Sequence, residues 1–209
     1  MKNAVLENGK KQVMSDVSND GEFTIGMNEP YVVSITIEGS AAILFHRWSC
    51  DDVEAKAKAS KNSKAKKTDN VESYVWRNEK GELCVPGEYL RQSIITAAKF
   101  RQDPRSPRKS AMDLFEAGVI VLTELASLGA KEWDYLDRRR VTIQKNSITR
   151  MRPAMMPGWK AKFEVQILTP EYIDHQMLLD VAAQAGRLIG VGDFRPTFGR
   201  FQVTNFSKI

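Results

Sequence analysis

The stretch AGRLIGVGDFRPTFGRFQV, residues 185–203, joins the end of an apolar-striped helix to an alternating strand through a loop in which glycines and arginines interleave. Gly186, Gly190, Gly192 and Gly199 permit positive φ and the close approach of another backbone. Arg187, Arg195 and Arg200 supply rigid forks of donors suited to phosphate. The combination predicts a polyanion lying across a loop, and it sets the last helix and last strand of the fold.

Upstream, TPEYIDHQMLLDVAAQAGRLIG predicts a helix with Thr169 as N-cap, Pro170 at the first helical position and Gly190 as terminator. Its apolar stripe is Ile173, Met177, Val181, Ala185 and Leu188. WKAKFEVQIL before it alternates cleanly, Phe163, Val165 and Ile167 against Lys162, Glu164 and Gln166, as a half-buried strand does. RRRVTIQ predicts another strand, continuing past Asn146 through ITRMRP. LFEAGVIVLTELASLG fits a helix at Leu114, Val121, Leu122 and Leu125, but the β-branched cluster behind a glycine favours a strand over Gly118 to Leu125.

Pro86 opens a helix with Leu90, Ile94, Ala97 and Ala98 at helical spacing, closed by Pro104 and Pro107. SYVWRNEKGELCVP predicts a hairpin turning between Asn78 and Gly81, with Tyr74, Trp76, Leu83 and Val85 as its apolar positions. Val33, Ile35 and Ile37 in YVVSITIEG mark a first strand, bent at Gly39 and resuming through Ala42, Ile43, Leu44 and Phe45. The core order is strand, helix, strand, strand, helix, strand. That is the ferredoxin-like, or RRM-like, βαββαβ pattern of an α+β domain.

Residues 1–28 are polar and read as a mobile N-terminal tail, leaving 29–209 as one domain with an insertion at about 47–72. The polar beginning is unlike a signal peptide or membrane span, so a cytoplasmic setting, that of a bacterial host cell, is expected. Cys50 and Cys84 have no zinc-like spacing and read as reduced thiols. No GxxxxGK[ST], strand-linked GxGxxG or HExxH occurs, which argues against a nucleotide-hydrolysing, redox or zincin enzyme. No cofactor and no metal is expected.

The net charge of +5 is unevenly placed. AKAKASKNSKAKKT, residues 55–68, carries Lys56, Lys58, Lys61, Lys64, Lys66 and Lys67 without a carboxylate, and RRRVTIQKNSITRMR, residues 138–152, carries Arg138, Arg139, Arg140, Lys145, Arg150 and Arg152 likewise. A lysine-rich loop alone is as readily a solvated insertion. Two basic stretches beside an arginine-bearing glycine loop point to nucleic acid. The expected interface comprises these twelve residues with Arg47, Gly190, Gly192, Arg195 and Arg200, the amides around Gly190 to Gly192 cradling phosphate and Arg150 and Arg152 guiding the strand along a sheet edge. Trp48, Trp159 and Phe194 are candidates for base stacking, with core burial the competing role for the tryptophans. No aromatic-rich RRM sheet motif is found, so binding across the open sheet face is not expected.

The second half, from Arg138 to Phe206, and the segment CVPGEYLRQSIITAAKF resemble the repeat-associated mysterious protein (RAMP) superfamily, whose members build the RNA-binding backbone of multi-subunit CRISPR effectors. The likeness is closest for uncharacterised proteins of similar size from phages and prophages, with a histidine-arginine pair after the first strand, a lysine-rich insertion and an ending near VGDFRPTFGRF. The resemblance implies an RRM-like core, a lysine-bearing thumb after the first strand, a glycine-rich loop before the last, and side-by-side assembly as a homo-oligomer along single-stranded RNA or DNA, with CRISPR or phage proteins as further partners and no membrane. The leading function is sequence-tolerant binding of a single strand, RNA favoured, without catalysis. Two alternatives stand beside it: an endoribonuclease using His46 or the Asp51 and Asp52 pair, and an interaction protein that binds a CRISPR or host protein without nucleic acid.

Overall fold

The computed structural model describes residues 29–50, 54, 57–58, 70–143 and 146–209. The expected tail and most of the lysine-rich insertion lie outside them, among them Asp51, Asp52, Lys56, Lys61, Lys64, Lys66 and Lys67; Lys145 does too.

The central sheet is built from β1 (Tyr31–Gly39), β7 (Val119–Val121), β11 (Lys160–Ile167) and β12 (Phe201–Lys208), all pairings antiparallel, in the spatial order β12-β1-β11-β7. Numbered by chain order among themselves these strands stand 4-1-3-2. Helix α1 (Gly87–Ala98) lies between the first and second and helix α3 (His175–Leu188) between the third and fourth. This is the expected split βαβ core.

Alternation decides which face is covered. Val33, Ile35 and Ile37 stand opposite Val165, Phe163 and Ala161, and all six are buried. Ser34, Thr36 and Glu38 face Glu164, Lys162 and Lys160 on the other side, so the open face is polar and of mixed charge. Leu90, Ile94, Ala97 and Ala98 of α1 are wholly buried, together with Ile95. Gly186 lets α3 settle on β12: a Cβ there would lie 2.1 Å from the Phe201 carbonyl oxygen.

Several elements depart from the expected reading. Helix α3 begins at His175, not after Thr169, because the Asp174 carboxylate takes the Met177 N–H at 2.7 Å and is the actual N-cap. Its buried side is Leu178, Val181, Ala182 and Ala185, and Leu188 is exposed. Gly190 does terminate it, with φ +79 and its N–H returned to the Ala185 carbonyl.

Residues 112–127, read as one strand over Gly118 to Leu125, divide into helix α2 (Met112–Gly118), β7, and β8 (Leu125–Ser127) in another sheet. Arg91 of α1 fastens this junction by donating to the Val119 and Glu116 carbonyls at 2.9 and 2.6 Å. The expected hairpin is β3 (Trp76–Arg77) and β4 (Leu83–Pro86), turning at Gly81 with φ +75 and pairing onward to β8.

The arginine-rich segment, expected as one continuing strand, is a two-stranded hairpin, β9 (Tyr135–Ile143) and β10 (Asn146–Met155). Its base pairs with the short β2 (Ile43–Leu44). β5 (Gln102–Asp103) and β6 (Ser106–Ser110) make a small separate hairpin after α1. Cys84 is buried and Cys50 exposed, both as free thiols.

Candidate nucleic-acid interface

The glycine loop between α3 and β12 is knitted to the rest of the fold by backbone. Val191 N–H donates to the Gly199 carbonyl, Gly199 N–H to Ala42, and Asp193 N–H to Leu44. A Cβ on Gly192 would lie 2.8 Å from the Leu44 oxygen, and one on Gly199 only 1.6 Å from the Val191 oxygen. The backbone that these glycines admit is the protein's own. The amides of Gly190 and Val191 are therefore engaged within the fold, and the cradle expected from them is not an open one.

Side chains bind the same loop to the β9–β10 hairpin. Residues facing each other across that hairpin share a face, so Asp137 and Arg139 stand with Arg152 and Arg150 on one side. Arg152 is buried and its Nε donates to Asp193 Oδ2. Arg139 makes a two-pronged contact with Asp137, 2.5 and 2.7 Å, and its guanidinium carbon sits 4.9 Å from the Phe194 ring and 4.5 Å from that of Phe198. Arg152 lies over Phe194 at 4.6 Å, so that ring is held between two guanidinium groups. The Arg139 hydrogen bonds hold the Asp137 carboxyl below the ordinary carboxylate range.

Arg152 is thus a buried structural cation, not a guide on a sheet edge, and Arg139 is spent in the same cluster. Phe194 is likewise sandwiched and not presented for stacking. Trp159 belongs to the core, its Nε1–H donated to Ala41 at 2.9 Å above Gly39.

Of the other expected basic residues that the structure describes, Arg150 is half-buried on the Arg139 side of the hairpin and the rest stay outward. Arg138 and Arg140 occupy the opposite, exposed face of the hairpin. Arg195 and Arg200 are exposed on the loop, Arg200 Nε donating to the Pro196 carbonyl at 2.8 Å. Arg47 is exposed, with its guanidinium carbon 4.3 Å from the Trp76 ring, and Trp48 beside it is 71% exposed. Lys58 is exposed and 3.6 Å from Glu54, a carboxylate just outside the basic run.

Between loop and helix runs a groove. One concavity, about 360 Å³, is lined by His46, Glu88, Tyr89, Gln92, Gly192, Asp193 and Arg195. A second adjoins it through Gly192, Asp193 and Arg195 and extends along Thr96, Ile189 and Pro196. Glu88, Gln92 and Thr96 are spaced i, i+4, i+8 and form one wall from α1. His46 stands at the end, with Nδ1 3.8 Å from Asp193 and its ring edge-on to Tyr74 at 5.0 Å.

That end is where the lysine-rich insertion leaves and returns. Arg47 N–H donates to the Tyr74 carbonyl at 2.8 Å, so the two feet of the segment are pinned together at the mouth of the groove. Sequence reasoning did not separate the outward arginines from the engaged ones, and it missed the α1 wall. Its signal was the polar line on an amphipathic helix, which does not say what the line faces. Among the described residues no cluster of three or more His, Cys, Asp or Glu side chains could hold a metal. No described helix is long and apolar enough to cross a membrane.

No protein-family model matches the sequence, and no curated protein does. Solved structures do match. A chain in the structure of the type III-B Cmr-beta complex bound to cognate target RNA is 9% identical with a TM-score of 0.53, over 87% of this chain and 61% of that one. The fold is RAMP-like. Cmr6 from Pyrococcus furiosus matches at 10% identity over 86% of this chain and 100% of that one, with a TM-score of 0.44. The present chain thus spans under two thirds of the Cmr-beta subunit's length, and the likeness is one of fold.

Proposed function

We propose that this protein binds single-stranded nucleic acid with little sequence preference along most of the strand, favours RNA, and packs side by side on it in a CRISPR- or phage-related setting. The observation that carries the reading is a groove bordered by the feet of the lysine-rich insertion and lined by Arg195, on a domain that exposes further arginines. The lysine-rich insertion begins and ends beside His46 and Tyr74, Arg195 lies in the groove wall, and Arg47, Arg138, Arg140 and Arg200 are exposed. Lysines outside the described residues, Lys56, Lys61, Lys64, Lys66, Lys67 and Lys145, add phosphate contacts in this reading, as does Lys58. The RNA-bound state of the Cmr-beta structure supports RNA over DNA.

Each phosphate neutralised on a single strand adds about 0.7 to the slope of log affinity against log salt. The open sheet face lacks aromatic residues among the described residues of β1, β7 and β11, which supports routing the strand past the loops instead of across the sheet. Fluorescence anisotropy with labelled single-stranded RNA, single-stranded DNA and duplex across a salt series tests the proposal. Lys64→Glu, Lys66→Glu and Lys67→Glu together are expected to weaken single-strand binding and flatten its salt dependence. Absence of binding at low salt in nuclease-treated protein would overturn it and favour a protein partner.

A second reading rests on His46, an imidazole that lines the groove with its Nδ1 3.8 Å from Asp193 Oδ2, where it could act as a general base toward a bound strand. Single-turnover cleavage of RNA that disappears in His46→Ala would make the protein an endoribonuclease; intact RNA after prolonged incubation removes that reading.

A further inference from the structure

A carboxylate in a phosphate-binding groove is a cost unless it has another task. Glu88 lines the groove wall opposite Arg195, yet its side chain is 65% exposed and its cationic neighbour on the helix, Arg91, is 3.5 Å away. Arg91 is fixed through Nε and Nη2 by two backbone carbonyls, and its Nη1 makes a long 3.5 Å hydrogen bond to Glu88 Oε1. Asp193, the other carboxylate of the groove, is occupied: Oδ2 takes the Arg152 Nε–H and Oδ1 the Phe194 N–H at 2.9 Å. The carboxylate with spare acceptor capacity is Glu88, whose Oε2 has no hydrogen-bond partner among the described residues and whose Oε1 has only the long Arg91 contact; it stands one helical turn from Gln92, in a groove that Tyr89 also lines.

We propose that the groove receives one unstacked base of the bound strand and selects guanine. A carboxylate only accepts, and it has two oxygens side by side. Guanine alone among the four RNA bases presents two adjacent donors on its Watson–Crick edge, N1–H and the N2 amino group. Uracil places its single N3–H between two acceptors, and the amino groups of adenine and cytosine each adjoin a ring acceptor. Glu88 therefore pairs with guanine through both oxygens and meets a lone pair with every other base. Tyr89, partly buried against the core and lining the groove with its remaining surface, supplies the aromatic contact for a splayed base, and Arg195, which also lines the groove, takes its phosphate. A volume of about 360 Å³ lies in the range of pockets that take ligands of mononucleotide size.

The inference rests on the proposed single-strand binding, and the test separates the two. Short labelled oligouridines carrying one central guanosine, adenosine, cytidine or inosine are titrated into the full-length protein and into Glu88→Gln, while 5′-GMP and 5′-AMP are titrated separately and followed by amide chemical shifts. The guanosine strand is expected to bind about tenfold tighter than the adenosine or cytidine strand, as one good bidentate base contact provides. Inosine, lacking the N2 amino group, should lose most of that gain. Glu88→Gln, an exposed and isosteric change, should lose the preference for the guanosine strand. Equal affinities for all central bases, or a guanosine preference that survives Glu88→Gln, overturns base selection and leaves strand binding standing. If no oligonucleotide binds, strand binding falls and the mononucleotides decide the groove alone: GMP shifts at Tyr89 and Gln92 absent with AMP support it, and equal or absent shifts overturn it.

Discussion

At the residue scale, Arg152 and Asp193 show how a charge becomes part of a core. Arg152 is 7% exposed and Asp193 reaches solvent at its rim, so removal of either partner is not equivalent. Asp193→Ala strands a buried guanidinium and is expected to cost about 3 kcal/mol in urea unfolding. Arg152→Met should cost less, because the thioether fills the stem's volume and the carboxylate turns to water. Two glycines with nearly the same φ provide a second contrast. Gly129 (φ +71) has open space where a Cβ would go, so Gly129→Ala should cost about 1 kcal/mol of strain alone. Gly199 (φ +72) would drive a Cβ into the Val191 carbonyl, so Gly199→Ala should cost at least about 3 kcal/mol and open the loop. Thermal unfolding of the two variants compares them directly.

At the element scale the β9–β10 hairpin has a structural face and a solvent-facing one. Asp137, Arg139 and Arg152 join the glycine loop; Arg138 and Arg140 face solvent. Arg138→Ser with Arg140→Ser should leave the melting temperature unchanged and lower the salt slope for single-stranded RNA by about 0.7 for each phosphate no longer neutralised. Arg139→Ser should do the reverse in stability, losing about 1–2 kcal/mol as Phe194 and Phe198 are deprived of their shared cation. The Asp137 side has a defined pH response. Its carboxyl titrates lower in the folded than in the unfolded chain, so its contribution is complete above the ordinary carboxylate pKa and is lost as pH falls through the lowered folded value. Asp137→Asn should therefore be less stable than the parent near neutrality by about 1 kcal/mol, with the gap closing in acid, as read by denaturant unfolding over a pH series.

At the scale of the whole molecule, the sheet order β12-β1-β11-β7 closes the core with α1 and α3 on one face and brings the insertion's feet, the hairpin and the glycine loop to one region. Side-by-side assembly predicts that the native mass with a long single strand of RNA rises in protomer steps, whereas a single protomer at saturation would count against it. Much of this architecture is local and was legible. The alternation of Phe163, Val165 and Ile167, the stripe of Leu90 and Ile94, and the terminating Gly190 each follow from a period of two or 3.6 or from one backbone angle, which neighbouring residues determine among themselves. The basic character of residues 138–152 was equally legible, because charge is composition. Which arginines remain outward was not. Arg152 meets Asp193 across 41 residues, and Arg139 meets Phe194 and Phe198 only after the loop folds onto the hairpin. The α1 wall of the groove has the same origin: Glu88 and Gln92 read as a wet helix face until residues 192–196 come to stand opposite. The sequence by itself determined the periods, the turn positions and the total charge; the tertiary structure alone decided which cations are neutralised, because pairing depends on distances that only packing of remote segments establishes.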